Sequence, residues 1–376
     1  MAVQGIDKLP VKLTEKEAVM LYKRLAEVNK VLGKLDAVLS SSIINTSILS
    51  LLSYNESVQS TRIEGTQVTF HEIMEITRSG AKNWQQREVF NYKEAIDEGF
   101  KAIREGDAIS TRLLKKLHKT LMSDEARGTT ANGGEFRKIQ NFIGPDNKIE
   151  HASYIPIGAN EIAEYMTNLE FFANGETHSS LTQGLEIDSE YVNYDSDALL
   201  RIAVVHAQFE SIHPFLDGNG RLGRILIALM AVKENLLDYP VFFVSEELEK
   251  ERIRYYNALN AVRGEEPDWI PWLTLFLNAS EQMARNILKK INNADNHAKT
   301  GLQKCHSQAQ KDVWLSTFSL PVATPKQLAD LTGYHPATVK KSLDKLVENG
   351  LLDRDNTVKR NIPYYNYELL RVISNF

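Results

Sequence analysis

The scarcities of this sequence narrow the field first. A single cysteine, Cys305, stands among 376 residues, so no disulfide can form within the chain and a reducing compartment is expected. Long apolar runs are missing: the strongest, 225–232, is far short of the ~20 residues that a membrane span needs. The opening MAVQGIDKLPVK lacks the basic-then-apolar pattern of a signal peptide, and a soluble cytoplasmic protein without membrane contact is expected. Charge of one sign is scarce too. A net charge of −5 argues against bulk electrostatic binding of nucleic acid, although a local module could still bind it. There is no internal repeat, no low-complexity tract and no G-x-x-x-x-G-K-[ST] phosphate loop.

The remaining composition is ordinary for a globular chain, 43% hydrophobic and 25% charged, and the length suits two or three domains. Most of it reads as helix. Leu21, Leu25, Val28, Val31, Leu32 and Leu35 recur at three-to-four spacing and predict an amphipathic helix over 15–38. Further helices are predicted over 43–63, stopped by Gly65, and from the Thr69/Glu72 capping box onward. Others follow over 84–105, 110–122, 161–172, 196–212, 219–232, 241–263 and 269–291. The stretch 133–156 differs: Gly144-Pro145-Asp146-Asn147 is turn chemistry between short apolar runs, and it predicts a β-hairpin. A polar loop is expected over 175–194, and 292–310 reads as a linker or as the tail of a long helix.

From about Lys311 the style changes. Thr324-Pro325 opens a helix over 326–332, Gly333 turns, and His335-Pro336 opens a second over 337–348. A small β-wing is expected over 351–365, which completes a helix-turn-helix of winged type. Lys340, Lys341 and Lys345 lie on the second helix, with Arg354, Lys359 and Arg360 near the wing. Asp344, Glu348, Asp353 and Asp355 dilute that charge, so at most modest DNA binding is expected, and protein docking or dimer support weighs equally.

The chemistry concentrates in His213-Pro214-Phe215-Leu216-Asp217-Gly218-Asn219-Gly220-Arg221-Leu222-Gly223-Arg224. Gly218 and Gly220 let the backbone bend tightly and offer N–H groups to an anion. The helix that follows points its positive end at the same place. Arg221 and Arg224, three apart, can hold two groups of one polyphosphate. Asp217 suits Mg²⁺, which keeps several waters and bridges a carboxylate to phosphates. Pro214 disfavours further helix at His213, which places an imidazole at the mouth of the cradle. Taken singly, a Gly-Asn-Gly is usually a turn, two arginines a solvated face and a lone histidine structural. Their order within so short a stretch is what signals a site.

HPFLDGNGRLGR matches H-x-F-x-[DE]-G-N-G-R-x-x-R at every specified position, and the chain thereby resembles the Fic family. The resemblance implies a mainly α fold, with a Fic-type helical core, a small hairpin flap and a C-terminal winged helix. It implies that His213 is the general base, Asp217 the Mg²⁺ ligand and Gly218, Asn219 and Gly220 the anion hole. Arg221 would then contact phosphate and Arg224 the γ-phosphate, with Leu222 and Gly223 between them in the nucleotide-binding stretch. Phe215 would be a core anchor. Tyr255, Tyr256 and Asn257 resemble the family's adenine-pocket residues, and 134–156 its flap, which pairs with a target segment. Ser60-Thr61-Arg62-Ile63-Glu64-Gly65 resembles the inhibitory motif [ST]-x-x-x-E-[GN]. Glu64, with Ser60 in the same motif, would compete with the γ-phosphate for Arg224 through a bidentate pair.

The implied activity is transfer of AMP from ATP, with Mg²⁺, to a Ser, Thr or Tyr hydroxyl of a target protein or of the chain itself. Removal of AMP, a Doc-type kinase or a phosphocholine transfer are the alternatives within the family. A DNA-binding regulator with a nucleotide-sensing site is the alternative outside it. A homodimer is a further expectation. The implied units are 1–105, helical and carrying the inhibitory helix, 106–291, the catalytic core, and 292–376, a linker with the winged helix.

Overall fold

A computed structural model of the chain describes residues 2–80, 83–123, 133–145, 148–176, 191–193, 195–355, 357 and 360–374. Asp146 and Asn147 of the expected turn, most of the expected loop over 175–194 and Lys359 lie outside them.

The chain opens with two short strands, β1 (Val3–Gln4) and β2 (Val11–Lys12). Thr14 caps α1 (Glu15–Ser41), accepting the Glu17 N–H while the Glu17 carboxylate accepts the Thr14 N–H. Next, α2 (Asn45–Ile63) ends at Glu64, and Gly65, at φ 98°, turns the chain away. The Thr69/Glu72 capping box opens α3 (Phe70–Ser79), and Asn83 with Gln86 opens α4 (Trp84–Arg104). Ser110 caps α5 (Thr111–Leu121). Then come β3 (Tyr154–Ile155), α6 (Ile162–Ala173), β4 (Tyr191–Val192), α7 (Ala198–Ile212) and α8 (Asn219–Lys233). The series continues through α9 (Ser245–Lys250), α10 (Arg252–Ala261), α11 (Ile270–Gln303) and α12 (Gln308–Ser316). It closes with β5 (Val322–Ala323), α13 (Pro325–Thr332), α14 (Pro336–Glu348), β6 (Asp353–Arg354), β7 (Tyr364–Tyr365) and α15 (Tyr367–Ser374).

The helices α7 and α8 form the centre. Every residue of α7 from Leu199 to Ile212 is buried, and α8 is buried from Arg221 to Ala231. Helices hidden on all sides must be apolar on all sides or satisfy each polar group locally. Here Arg201 pairs with Glu234, the Gln208 amide donates to the Asp7 carbonyl, and Ser211 accepts from Arg263. Packed around this pair are α4, α5, α6, α10 and α11, and α1 lies along α11. Three small sheets sit outside the helices. β1 pairs parallel with β3, β2 antiparallel with β4, and β5, β7 and β6 form an antiparallel sheet in that order.

Four expectations change. The hairpin over 133–156 shrinks to one antiparallel bridge, Ile143 to Tyr154, and its return strand pairs with β1 near the chain start. No sequence period announces that long-range pairing. The helix expected over 241–263 divides at Glu251 into α9 and α10, after 241–244 run non-helical. Of the two readings of 292–310, the linker gives way to the helix tail: residues 292–303 continue α11, so the unit boundary at 291 falls within a helix. Among the polar residues of that stretch, Ala294, Ala298 and Gly301 keep one side buried. Finally, α12 and α15 add helices that the sequence reading did not mark.

Candidate functional site

His213 follows the last residue of α7 in the left-handed region, φ 49° and ψ 59°. A non-glycine residue there is uncommon, and Pro214 makes a further helical turn unfavourable. The bend ends α7 there and leaves His213 partly buried. Its Nδ1 donates to the Glu210 carbonyl at 3.3 Å, which leaves Nε2 of the neutral ring with its lone pair. Burial, then Arg263 and Arg137, pushes the imidazole down to about 4, so the ring is neutral near pH 7.

The loop from Pro214 to Gly218 is closed by Asn219. Its Oδ1 accepts the Phe215 N–H and its Nδ2 donates to the Phe215 carbonyl, both at 2.9 Å. The Asn219 side chain is therefore a clasp, and only its backbone faces outward chemistry. Gly218, at φ 77°, caps α8. The Gly218 N–H is taken by Asp217 Oδ1 and the Leu222 N–H by the Gly218 carbonyl. The N–H groups of Asn219, Gly220 and Arg221 sit in the first turn, beyond reach of any earlier carbonyl of the helix, and these three make the candidate cradle for an anion. Leu222 is fully buried and Gly223 gives its carbonyl to His206 Nδ1, so both stand behind the cradle.

The two arginines diverge. Arg224 is fully enclosed: Nε donates to Ser60 Oγ at 2.8 Å, and Nη2 to the Ser60 carbonyl at 3.0 Å and to Glu64 Oε1 at 2.7 Å. The expected fork is thus divided between Ser60 and Glu64. Burial works against the Glu64 charge, but Arg224, and further off Arg221 and His213, outweigh it and hold the carboxyl below its usual range. Arg221 points elsewhere, to Glu88 at 3.2 Å in a buried pair and to Asp217 Oδ1 at 3.5 Å. Asp217 keeps 47% of its side chain exposed, and its Oδ2 accepts no hydrogen bond from the described residues. A lone open carboxylate beside an anion cradle fits a Mg²⁺ held mainly by phosphates and water. Among the described residues no three acidic, His or Cys side chains cluster as a metal cage.

Of the adenine-pocket candidates, Tyr255 faces inward. It is 1% exposed, and its hydroxyl donates to His206 Nε2 at 2.8 Å, so it braces α7 and α8 from within. Tyr256 and Asn257 remain on the open face of α10, with the Tyr256 ring 5.3 Å from that of Tyr255.

Several residues of this neighbourhood were not singled out in the sequence. Arg137, 3% exposed, bolts the flap to the base: its N–H reaches the Pro214 carbonyl, Nε the His213 carbonyl and Nη2 the Ile157 carbonyl. Glu210 is buried beside Arg224 with Oε1 lacking a hydrogen bond, and burial pushes it up to about 7. Glu56 accepts from Tyr92 and Ser245, and burial pushes it, too, up to about 7. His118 on α5 stacks on Phe215 at 3.8 Å. One signal was available for it, a histidine within the apolar stripe Leu113, Leu114, Leu117, Leu121. A cavity of ≈ 200 Å³ lies between flap and loop, lined in part by His118, Met122, Phe136, Arg137, Leu216 and Asp217.

Fold and site together define a helical protein with an anion cradle at the foot of a buried helix and an imidazole at its rim. Two models of one family match it, the Fic/DOC family over 108–231 and the Fic/DOC family N-terminal part over 22–101, together more than half of the chain. The chain belongs to the Fic/DOC family. It is 28% identical over 150 residues to a protein adenylyltransferase Fic of Drosophila grimshawi, covering 40% of this chain and 25% of that protein. The counterpart in Drosophila erecta is 27% identical over 174 residues, 46% of this chain and 28% of that protein. The matches thus span about a quarter of the length of these relatives. Among solved structures, a Fic family protein from Desulfovibrio desulfuricans G20 superposes with TM-score 0.57 at 18% identity, over 96% of this chain and 98% of that one. Fic-1 from C. elegans gives TM-score 0.53 at 18% identity, over 74% of each chain. At that identity the likeness concerns the fold. No helix among the described residues is long and apolar enough to cross a membrane.

Proposed function

We propose that this chain transfers AMP from ATP to a protein hydroxyl, and that Glu64 restrains it. The observation that carries the reading is the convergence of His213 Nε2, the first-turn amides of α8, Asp217 and Arg224 on one cradle, with Arg224 engaged by Ser60 and Glu64. His213 takes the proton of the incoming Ser, Thr or Tyr hydroxyl, whose oxygen attacks the α-phosphorus. The bond to the pyrophosphate oxygen breaks, AMP stays on the protein oxygen, and pyrophosphate leaves. The amides of Asn219, Gly220 and Arg221 hold phosphate oxygens, and Arg224 receives the γ-phosphate once Glu64 yields. Bound at Asp217, Mg²⁺ would neutralise phosphate charge. Positioning and charge account for most of the acceleration in such a site. The flap, fixed by Arg137 to the His213 carbonyl, would present the target segment at a set distance from the base.

With Glu64 in place the γ-phosphate loses its guanidinium, and a misplacement of about 1 Å costs ~10²-fold. Glu64→Gly should therefore raise transfer by one to two orders of magnitude. The test supplies α-labelled or γ-labelled ATP with Mg²⁺ to Glu64→Gly and to Glu64→Gly/His213→Ala. Label retained from the α position only, and lost without His213, supports the reading. Retained γ label would make the protein a kinase instead.

We read 308–374 as a winged helix that docks protein in preference to DNA. Lys340 lies 2.7 Å from Asp344, Lys345 2.5 Å from Glu348, and Arg354 3.4 Å from Asp344, so three of the four basic groups of α14 and β6 face acids of their own module, while Lys341 is exposed. Binding to duplex DNA in ~50 mM salt should be no tighter than micromolar. Tight binding with a steep salt slope would reverse this reading.

A further inference from the structure

Two parts of the site must keep a fixed relation: the flap, which presents the hydroxyl, and the loop that carries Asp217. One side chain touches both. His118 Nδ1 accepts the Gly134 N–H at 2.9 Å, at the base of the flap. An imidazole nitrogen that accepts carries no proton, so the ring hydrogen is on Nε2. Nε2 lies 2.9 Å from the Asp217 carbonyl and donates to it. The histidine thus bridges segments 16 residues away on one side and 99 on the other.

The surroundings hold the ring in that pose. It lies parallel to Phe215 with an interplanar angle of 7°. Gly134 has φ 88°, and a Cβ there would stand 2.8 Å from the Lys115 carbonyl oxygen, so glycine is what permits the flap to approach α5. Gly218, at φ 77°, would carry a Cβ 2.9 Å from Met122 Sδ and 3.3 Å from His118 Nε2. Both chain segments close onto the ring at glycines.

We propose that His118 is a positioning residue that sets the flap and the Asp217 loop in register through two separable hydrogen bonds. The proposal rests on the AMP-transfer reading for its purpose, and on geometry alone for the join. The two bonds can be removed one at a time. In His118→Asn the amide oxygen falls near the place of Nδ1, so the bond from Gly134 survives and the one to Asp217 is lost. In His118→Gln the longer amide reaches the Asp217 carbonyl and leaves the Gly134 N–H without its acceptor.

The experiment uses the full chain with Glu64→Gly and two readouts. Hydrogen exchange of a peptide containing Gly134 reports the flap base, and calorimetric titration of ATP at varied Mg²⁺ reports the Asp217 loop. His118→Asn should keep the exchange protection and need several-fold more Mg²⁺ for the same ATP affinity. His118→Gln should exchange about tenfold faster at Gly134, with an unchanged Mg²⁺ requirement. His118→Phe, which keeps the stacking and neither bond, should show both defects. Equal defects in the Asn and Gln variants would make His118 a packing residue only. A Phe variant with neither defect would also overturn the proposal, even if the other two variants failed to fold. Absence of Mg²⁺-dependent ATP binding in the Glu64→Gly parent would instead sink the functional reading, while the exchange readout would still judge the join.

Discussion

His213 shows how a residue type and a backbone angle prepare an imidazole for the base role proposed for it. The left-handed φ turns it out of the helix, and the Glu210 carbonyl fixes the proton on Nδ1. A base acts in its neutral form, and burial with two nearby arginines moves protonation down to about 4. Transfer by the Glu64→Gly protein should therefore stay level from pH 8 to pH 6 and fall only as pH approaches about 4. A rate profile bending near the ordinary histidine value, about 6.5, would contradict this. His213→Ala should cost ~10²–10⁴-fold. This residue was legible in the sequence because its neighbours in the motif are its neighbours in space. The partners that orient the site were not. Glu88 is 133 positions from Arg221 and Ser60 is 164 from Arg224; Ser60 was found only because its motif resembles a known one. No local pattern encodes the Arg137 bolt, since its acceptors are backbone carbonyls of other segments.

Among elements, α2 carries the most consequence. It is buried on nearly every side and holds polar residues there, so amphipathic period could not describe it. Glu56 is a buried anchor of α2, tying it to Tyr92 of α4 and Ser245 of α9 about two turns of helix before Glu64 at its end. Burial raises the Glu56 carboxyl from 4.5 to about 7, so the folded chain binds its proton more tightly than the unfolded chain does. Its contribution to stability is then fully present below about pH 4.5 and declines as pH rises to about 7. Glu56→Gln removes that decline. Against wild type, the variant should gain roughly 3 kcal/mol between pH 4.5 and pH 7.5, read from urea unfolding at each pH. Parallel curves for the two proteins would show that Glu56 keeps an ordinary affinity for its proton. The start of α3 was readable because Thr69 and its partner Glu72 are three positions apart, and that of α13 because a proline follows Thr324. The one-bridge flap and the division at Glu251 depend on distant packing, and they were not readable.

At the scale of the molecule, the terminal module is joined to the core without a linker. Gly301 of α11 meets Trp314 of α12 so closely that a Cβ would stand 2.2 Å from the indole. Trp314 is fully buried and donates to the Ala298 carbonyl at 2.9 Å, which leaves it little room to retreat. Gly301→Ala should destabilise the protein by about 1–3 kcal/mol in denaturant unfolding. A change under about 0.5 kcal/mol would mean that the indole can shift. The module also rests on the helix that carries Ser60: α15 packs on α2 and α3, and Tyr367 stacks on His71 with ring centres 6.0 Å apart. The boundary expected at 291 falls inside α11, where alanine and glycine at 294, 298 and 301 keep a helix packed as large apolar residues thin out.

The 34 residues of α11 make a rod roughly 50 Å long, with α1 and α7 seated along it and α12 and α15 against it. Such a rod runs unbroken through 292–303, where the sequence left a linker or a helix tail open. One continuous helix therefore gives the terminal helices and the central ones a common spine.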